Sequence, residues 1–335
     1  MIGVGVIGYG YWGPNLVRNF MACADARVTY IADRDSTRLR KVGALYRGVE
    51  VTTCADELIG SSAVDAVVVA TPVETHFDLA MAALRAGKHV LVEKPIASTS
   101  DQARQMIDEA HRRNLVLMVD HTFIYTGAVG KMYELIHTED FGKVRYYDST
   151  RVNLGIFQND VNVLWDLAVH DLSIMSYVLD CEPLEVSATG NSHLPGQPEY
   201  AAFLTLFFGG ETIAHINVNW LSPLKIRRTL IGGDRQMIVY DDLETSEKIK
   251  LYDKGITVTE TPEDIRKLLI SYRTGDLWSP KVPDSEALAV EAAHFLNCIN
   301  GSETPLSGGE AGLQLVRILE AANKSLRRNG TPVPL

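Results

Sequence analysis

Ile2-Gly3-Val4-Gly5-Val6-Ile7-Gly8-Tyr9-Gly10-Tyr11-Trp12-Gly13-Pro14 decides the fold. Residues 2–7 are an apolar run of strand length. A G-x-G-x-x-G turn follows, and Pro14 suits the opening of a helix, where its missing N–H costs little. A second apolar run, Val28-Thr29-Tyr30-Ile31-Ala32, ends on Asp33, twenty residues after Gly13. Strand, glycine turn, helix and a strand ending in a carboxylate together make a dinucleotide-binding layout. Gly8 allows the tight turn, and Gly13 lets the helix pack closely on the strand. Gly10 lets the backbone N–H groups of the turn, which includes Tyr9, Tyr11 and Trp12, approach a pyrophosphate at the positive helix end. Asp33 can accept from both ribose hydroxyls and would repel a 2′-phosphate, which favours NAD over NADP. Arg34, next in the chain, could contact a 2′-phosphate or stack on adenine. A glycine turn that serves geometry alone is the competing reading, and the elements flanking this one argue against it.

The 335 residues are enough for two domains with real cores, and 46 % hydrophobic with 22 % charged residues is ordinary for a globular protein. A net charge of −10 argues against a nucleic-acid footprint. It leaves room for anionic small ligands held by helix N-termini and a few arginines. No apolar run approaches the ~18 residues of a membrane span, and the chain starts straight into a strand with no basic leader. Cys23, Cys54, Cys181 and Cys298 are scattered with no C-x-x-C pair. That pattern points to reduced thiols in a cytoplasmic protein rather than to disulfides or zinc.

Over residues 1–120, strand and helix patterns alternate. A charged helix is expected over 36–46, a strand over 64–70, a helix over 74–86 stopped by Gly87, a strand over 89–92, a helix over 100–113 and a strand over 115–119. Ser98, Ser100 and Asp101 are capping candidates for the 100–113 helix. This alternation predicts an open, doubly wound parallel sheet, the NAD-binding domain. From 121 to 335 the rhythm changes. A strand over 144–152 and a helix over 163–179 precede strand patterns at 184–189, 201–208, 212–220, 225–231, 236–240, 249–252 and 256–259. Helices are expected over 285–300 and 309–327. The economical reading is an α+β domain on a large open, mostly antiparallel sheet with helices on one face. This domain is expected to bind substrate, and its uncovered face would need shielding, which makes homo-oligomerisation through the sheet the expectation.

Lys94 stands just past a parallel strand, where such sheets place ligands. A lysine there can hold a substrate oxygen, although a surface lysine before a turn proline is the plainer alternative. Asp166 and His170 are four apart on a helix and share a face that Ser173 and Tyr177 extend. Leu164, Ala168, Leu172, Met175 and Leu179 form the opposite, apolar face. A solvated polar face explains the spacing; so does a histidine general base whose tautomer a carboxylate sets. The pair could also ligate a metal, but no third ligand stands at a matching spacing, so no metal is expected.

These residues together resemble the glucose–fructose oxidoreductase/inositol dehydrogenase (Gfo/Idh/MocA) family. The resemblance rests on Gly8-Tyr9-Gly10-Tyr11-Trp12-Gly13, Ala70-Thr71-Pro72 with His76, Glu93-Lys94-Pro95, and Asp166-x-x-x-His170. It extends to Glu291-Ala292-Ala293-His294-Phe295 and residues 320–326. The resemblance implies a Rossmann domain with an open-sheet α/β domain and NAD(P)-dependent chemistry on a sugar, cyclitol or polyol. It makes Lys94, Asp166 and His170 a catalytic trio and adds Thr71, Pro72, His76, Glu93 and Lys94 to the cofactor side. It implies that Lys94-Pro95 is often cis, and that oligomers, commonly dimers or tetramers, pack through the sheet. One segment departs from the family. Many members carry an Asn-x-Arg-Phe-like stretch followed by proline; here Asp120-His121-Thr122-Phe123-Ile124-Tyr125-Thr126-Gly127 puts Ile124 and Gly127 in those places. Thr122 is the candidate for the polar role, and His121 is a second imidazole that a satisfied core histidine explains equally well.

The details are most similar to members acting on nucleotide-linked sugars. Arg151 and Asn153 precede the catalytic helix, and Arg273 falls in a late loop, Tyr272-Arg273-Thr274-Gly275-Asp276. With Thr122 and Tyr177, these are the substrate candidates. The arginines suit a phosphate or uronate carboxylate, and surface ion pairs are their alternative use. The expected activity is NAD-dependent hydride transfer at a sugar secondary alcohol or ketone, at the 3-position on this resemblance. A free-sugar or inositol dehydrogenase is the nearest rival, and a non-catalytic NAD(H) sensor the rival of another class.

Overall fold

β1 (Ile2–Ile7) is the centre of a sheet because its side chains are buried on both faces. A computed structural model describes the backbone of residues 1–155, 161–192, 196–258 and 270–335, and their side chains except at 256–258 and 270–274. β1 pairs in parallel with β2 (Ala26–Ala32) on one side and β4 (Ala66–Val69) on the other. With β3 (Glu50–Thr52), β5 (His89–Glu93) and β6 (Leu117–Asp120), the order is β3-β2-β1-β4-β5-β6. All neighbours run parallel. The Ala-Val-Val-Val of β4 is wholly buried, as a strand covered on both faces must be. The crossovers are α1 (Gly13–Ala22), α2 (Ser36–Leu45), α3 (Ala55–Gly60), α4 (His76–Arg85) and α5 (Ser100–Arg113). The expected 74–86 helix is split: a 3₁₀ turn, Val73–Thr75, leads into α4, and Gly87 takes a positive φ of 78° after it. α5 is capped by Thr99, whose hydroxyl accepts the Gln102 N–H at 3.2 Å, rather than by the flanking serines. Lys94-Pro95 is cis.

Two compact units emerge, Met1–Tyr125 with Ser285–Glu320 and Thr126–Asp284 with Ala321–Leu335. A boundary at residue 120 assigns everything after it to the second domain; the structure differs. The chain returns to the first unit through α8 (Ala287–Ile299), whose Phe295 packs edge-on against Phe20 of α1 at 6.2 Å between centroids. Glu286, just before α8, accepts from Arg18 and from Asn19 of α1. The apolar contacts that hold α8 are distant in sequence, and no local composition shift marks the return. α9 (Gly309–Leu326) then carries the chain from the first unit into the second.

The second unit is built on a nine-stranded sheet, in which β7 (Val144–Leu154) lies between β10 (Ile213–Asn219) and β11 (Leu221–Gly233). Outward from β10 lie β9 (Glu199–Phe208), β8 (Pro183–Ser192) and β15 (Val333–Pro334); outward from β11 lie β12 (Met237–Asp241), β13 (Ile249–Val258) and β14 (Ile270–Trp278). Only the β7–β10 pair is parallel. β13 merges the two runs expected at 249–252 and 256–259, with an irregularity between Tyr252 and Lys254; residue 259 lies outside the described residues. The stretch around Arg273, expected as a loop, is strand β14, paired to β13 with Gly255 opposite Arg273. α6 (Gly127–Ile136) packs on α7 (Val169–Leu179), which lies on β7. The four cysteines are free thiols. Among the described residues, no helix is long and apolar enough to cross a membrane.

Candidate functional site

The strand order reverses between β1 and β4, the place where such sheets bind ligands at the strands' carboxyl ends. Gly8 leaves β1 with φ of 99°, and a Cβ there would sit 2.4 Å from the Ala70 carbonyl oxygen beyond β4. A Cβ on Gly13 would meet the Gly8 carbonyl at 2.2 Å, so both glycines are required by the turn itself. Gly10 differs: the only nearby atom is Arg38 Nη1 at 3.8 Å, which leaves space for a backbone-bound phosphate. α1 opens at Gly13 with no acidic residue in its first turn, so its positive end is uncompensated. Asp33 Oδ2 accepts the Tyr9 N–H at 2.6 Å, tying the carboxylate to the turn. Tyr11 and Trp12 are exposed, their rings edge-to-face at 5.7 Å. These features fit a dinucleotide. Arg34 is exposed, while Arg38, which the sequence reading passed over, reaches Asp33 Oδ2 at 3.4 Å. Only its position in the turn after Asp33 could have drawn attention to it.

Past β4, Thr71 Oγ1 accepts from Thr75 Oγ1 at 2.7 Å, and Pro72 is exposed. His76 is not at the surface. Its Nε2 faces the Thr71 carbonyl at 2.7 Å and its Nδ1 the Pro95 carbonyl at 2.9 Å. Burial holds its pKa below the ordinary value. A neutral ring donates to one carbonyl at a time, and through these contacts His76 staples the Thr71 and Pro95 loops together.

At the ends of β5 and β6, Glu93 and Asp120 are partners in register. Glu93 Oε2 accepts the Lys94 N–H at 3.2 Å, and Thr122 Oγ1 donates to Asp120 Oδ1. Lys94 is half-buried. Burial first, then the charge of Asp120, raises Glu93 well above the carboxylate range, against the pull of the Lys94 ammonium. His121 is buried as a core histidine would be, but neither ring nitrogen has a hydrogen-bond partner, so it is not a satisfied one. Burial, and secondarily the Lys94 charge, pushes it down to about 3.

In the second unit, Asp166 falls in a π-helical turn, Leu164–Ala168, that runs directly into α7 and His170. Leu164, Ala168, Leu172 and Met175 are buried as the apolar face requires, but so are Asp171 and Ser173. The polar side of this helix is therefore no solvated stripe. Asp166 Oδ2 accepts the indole N–H of buried Trp220 at 2.9 Å, a partner 54 residues away that no spacing announces. His170 is half-buried, and its carbonyl accepts from Ser173 Oγ at 2.7 Å. Arg151, expected at a ligand or in a surface ion pair, is not at the surface. It is buried with Nε 2.6 Å from Asp171 Oδ2 and fixes α7 to β7. The Tyr177 ring packs, tilted by 33°, against Tyr133 of α6 at 5.1 Å between centroids, a helix–helix contact. Asn153 is half-buried near the end of β7, and the Arg273 side chain lies outside the described residues.

A family model described as oxidoreductase family, NAD-binding Rossmann fold (GFO_IDH_MocA) matches residues 2–121. The GFO/IDH/MocA C-terminal domain matches residues 129–239. The chain is 28 % identical over 322 residues to the UDP-N-acetylglucosamine 3-dehydrogenase of Acidithiobacillus ferrooxidans, covering 95 % of this chain and 94 % of that one. A solved structure of a UDP-N-acetylglucosamine 3-dehydrogenase, GnnA, from the same organism has a TM-score of 0.81 at 26 % identity, covering 98 % and 99 % of the two chains. Inositol 2-dehydrogenase 2 of Paenarthrobacter aurescens is 26 % identical over 348 residues, 98 % of this chain and 97 % of the relative. With the glycine turn and its carboxylate formed on a parallel sheet and both domains matched along the chain, the protein belongs to the Gfo/Idh/MocA family of NAD-binding oxidoreductases.

Proposed function

We propose that the protein transfers a hydride between NAD and a secondary alcohol of a nucleotide-linked sugar, at the sugar 3-position. The reading is carried by the position of Lys94, half-buried at the carboxyl end of β5, in the sheet whose β1–β4 switch point holds the glycine turn. When bound, NAD supplies the hydride acceptor. The Lys94 ammonium stabilises the charge that develops on the alcohol oxygen. The His170 imidazole takes the hydroxyl proton as general base. Asp166 orients His170 and supports its charge after proton uptake. Asp33 selects NAD over NADP, and Thr122 and Asn153 contact substrate hydroxyls. The nucleotide-sugar substrate is supported by the Acidithiobacillus relative, similar along 95 % of this chain. The inositol dehydrogenase relative, similar along 98 %, supports a free polyol as the second reading.

The protein is further proposed to be cytoplasmic and to form homo-oligomers through the uncovered sheet face. Phe203 and His215 stack on that face, and Ile213 and Phe203 are exposed there.

Lys94→Ala should lower turnover about a hundredfold or more while NAD still binds. Steady-state kinetics with UDP-N-acetylglucosamine, free sugars and inositols, beside a fluorescence titration with NADH, check both parts. Near-normal turnover in the variant overturns the catalytic assignment. NAD binding without turnover on any of these alcohols would mark a sensor instead.

A further inference from the structure

Beside Lys94, the first unit buries more carboxyl groups than the proposed reaction uses. Glu93 is 9 % exposed, Asp120 4 % and Glu291 0 %. Glu93 and Asp120 come from neighbouring strands; Glu291 comes from α8, which packs on the 3₁₀ turn Thr122–Tyr125 that follows β6. The groups facing this cluster are Lys94 and His121 at the strand ends and Thr122 and Tyr125 on the turn; Cys298 and His294, further along α8, lie against Tyr125.

Neither carboxyl oxygen of Glu291 is given a donor of its own, while the Asp120 carboxyl and the Thr122 hydroxyl lie within hydrogen-bonding reach of it. The Thr122 hydroxyl is given to Asp120, and the Lys94 N–H to Glu93. An ionised carboxylate buried without a donor costs several kcal/mol at least. A carboxylic acid needs only an acceptor, and its neighbours Asp120 and Glu93 are acceptors. Three carboxylates this close cannot all be charged beside a single ammonium. We propose that Glu291 is a positioning residue for Lys94, held as a neutral acid that shares its proton with Asp120 and Glu93 and so fixes the charge beside the lysine. Burial first, then the charges of Asp120 and Glu93, raises Glu291 well above the carboxylate range, in keeping with this arrangement. The catalytic importance of Lys94 rests on the function proposed above; the proton sharing does not, and it is tested without substrate.

The test compares Glu291→Gln, which keeps a neutral donor of the same shape, with Glu291→Leu, which removes the donor. The first readout is the rate at which acetic anhydride acylates Lys94 near pH 8, followed by mass spectrometry of the Lys94 peptide. Removing the donor withdraws support from the cluster's negative charge, so the ammonium loses stabilisation and more free amine is present. Glu291→Leu should therefore acylate about threefold faster, the effect of a half-unit fall in the lysine pKa, and Glu291→Gln should match the wild type. The second readout is the infrared C=O stretch of buried carboxylic acid at neutral pH, which should weaken in Glu291→Gln. A folded Glu291→Leu protein with wild-type acylation overturns the proposal, as does Glu291→Gln acylating as fast as the leucine variant. If the leucine variant does not fold, the infrared band decides: its persistence unchanged in Glu291→Gln overturns the proposal, and its loss sustains it.

Discussion

Asp33 does two things at once. Its Oδ2 accepts the Tyr9 N–H at 2.6 Å and its Oδ1 the Asp35 N–H at 2.7 Å, so the carboxylate that would face the ribose also shapes the glycine turn. Arg38 leans toward it at 3.4 Å and stands above Gly10. If Asp33 faces the ribose as proposed, its charge holds this cation in check, and without that charge Arg38 would be a ready partner for a 2′-phosphate. Asp33→Ser should raise the NADP/NAD ratio of kcat/KM about tenfold, and adding Arg38→Ala should remove most of that gain. Steady-state kinetics with both cofactors check it; an unchanged ratio in Asp33→Ser assigns selectivity elsewhere. The buried imidazoles make a contrast at the same scale. His76 spends its ring on two backbone carbonyls, whereas His121 finds no partner.

α7 owes its position to one buried ion pair. Arg151 of β7 reaches Asp171 at 2.6 Å, and Tyr147 of the same strand donates from its hydroxyl to the Asp171 carbonyl at 3.2 Å. The helix so anchored begins at Val169, one residue before His170, directly after the wide turn that carries Asp166. Removing one partner of a buried pair leaves an uncompensated charge, which costs far more than the pair is worth. Arg151→Leu should thus destabilise the protein by about 3–5 kcal/mol in urea unfolding. The double variant Arg151→Leu/Asp171→Leu should recover much of that loss. A single variant within about 1 kcal/mol of wild type would show that Asp171 finds water or another donor.

Over the whole molecule, buried groups set opposing pH limits on stability. Glu93 and Glu291 are raised when folded, so the folded state holds protons that the unfolded chain releases. Their contribution is complete below the unfolded carboxylate range and is lost as pH rises through the raised folded values. His121 works in the other direction. Its folded pKa is about 3 against 6.5 for the free side chain, so stability is lost as pH falls from 6.5 toward 3. At about 1.4 kcal/mol per unit, that loss amounts to several kcal/mol. Glu291→Gln should therefore gain Tm relative to wild type progressively from about pH 4.5 upward. Thermal melts across pH 5 to pH 9 check it, and a Tm difference that stays flat would place the Glu291 proton elsewhere.

The Rossmann half was legible in residues 2–33 because local rules dictate it. A tight turn demands Gly8, close helix packing demands Gly13, and a β-branched apolar run such as 66–69 has few homes other than a covered parallel strand. Lys94, Asp166 and His170 could be singled out because strand ends and four-residue helical spacing are also local. The return of α8 to the first unit was not legible because it depends on packing against chain far away, and the extent of β13 and β14 was not because it is set by pairing with the neighbouring strand rather than by their own residues. For the same reason Arg151 read as a ligand arginine or a surface ion pair, whereas the ion pair it makes with Asp171 is buried. The sequence by itself determined that a dinucleotide turn sits on a parallel sheet. Only the tertiary structure decided which charges are buried, Asp120 with Glu93 and Glu291, Arg151 with Asp171. Burial and partnership arise from packing between distant segments, and they set the free energy of a charge far more strongly than its neighbours in sequence do.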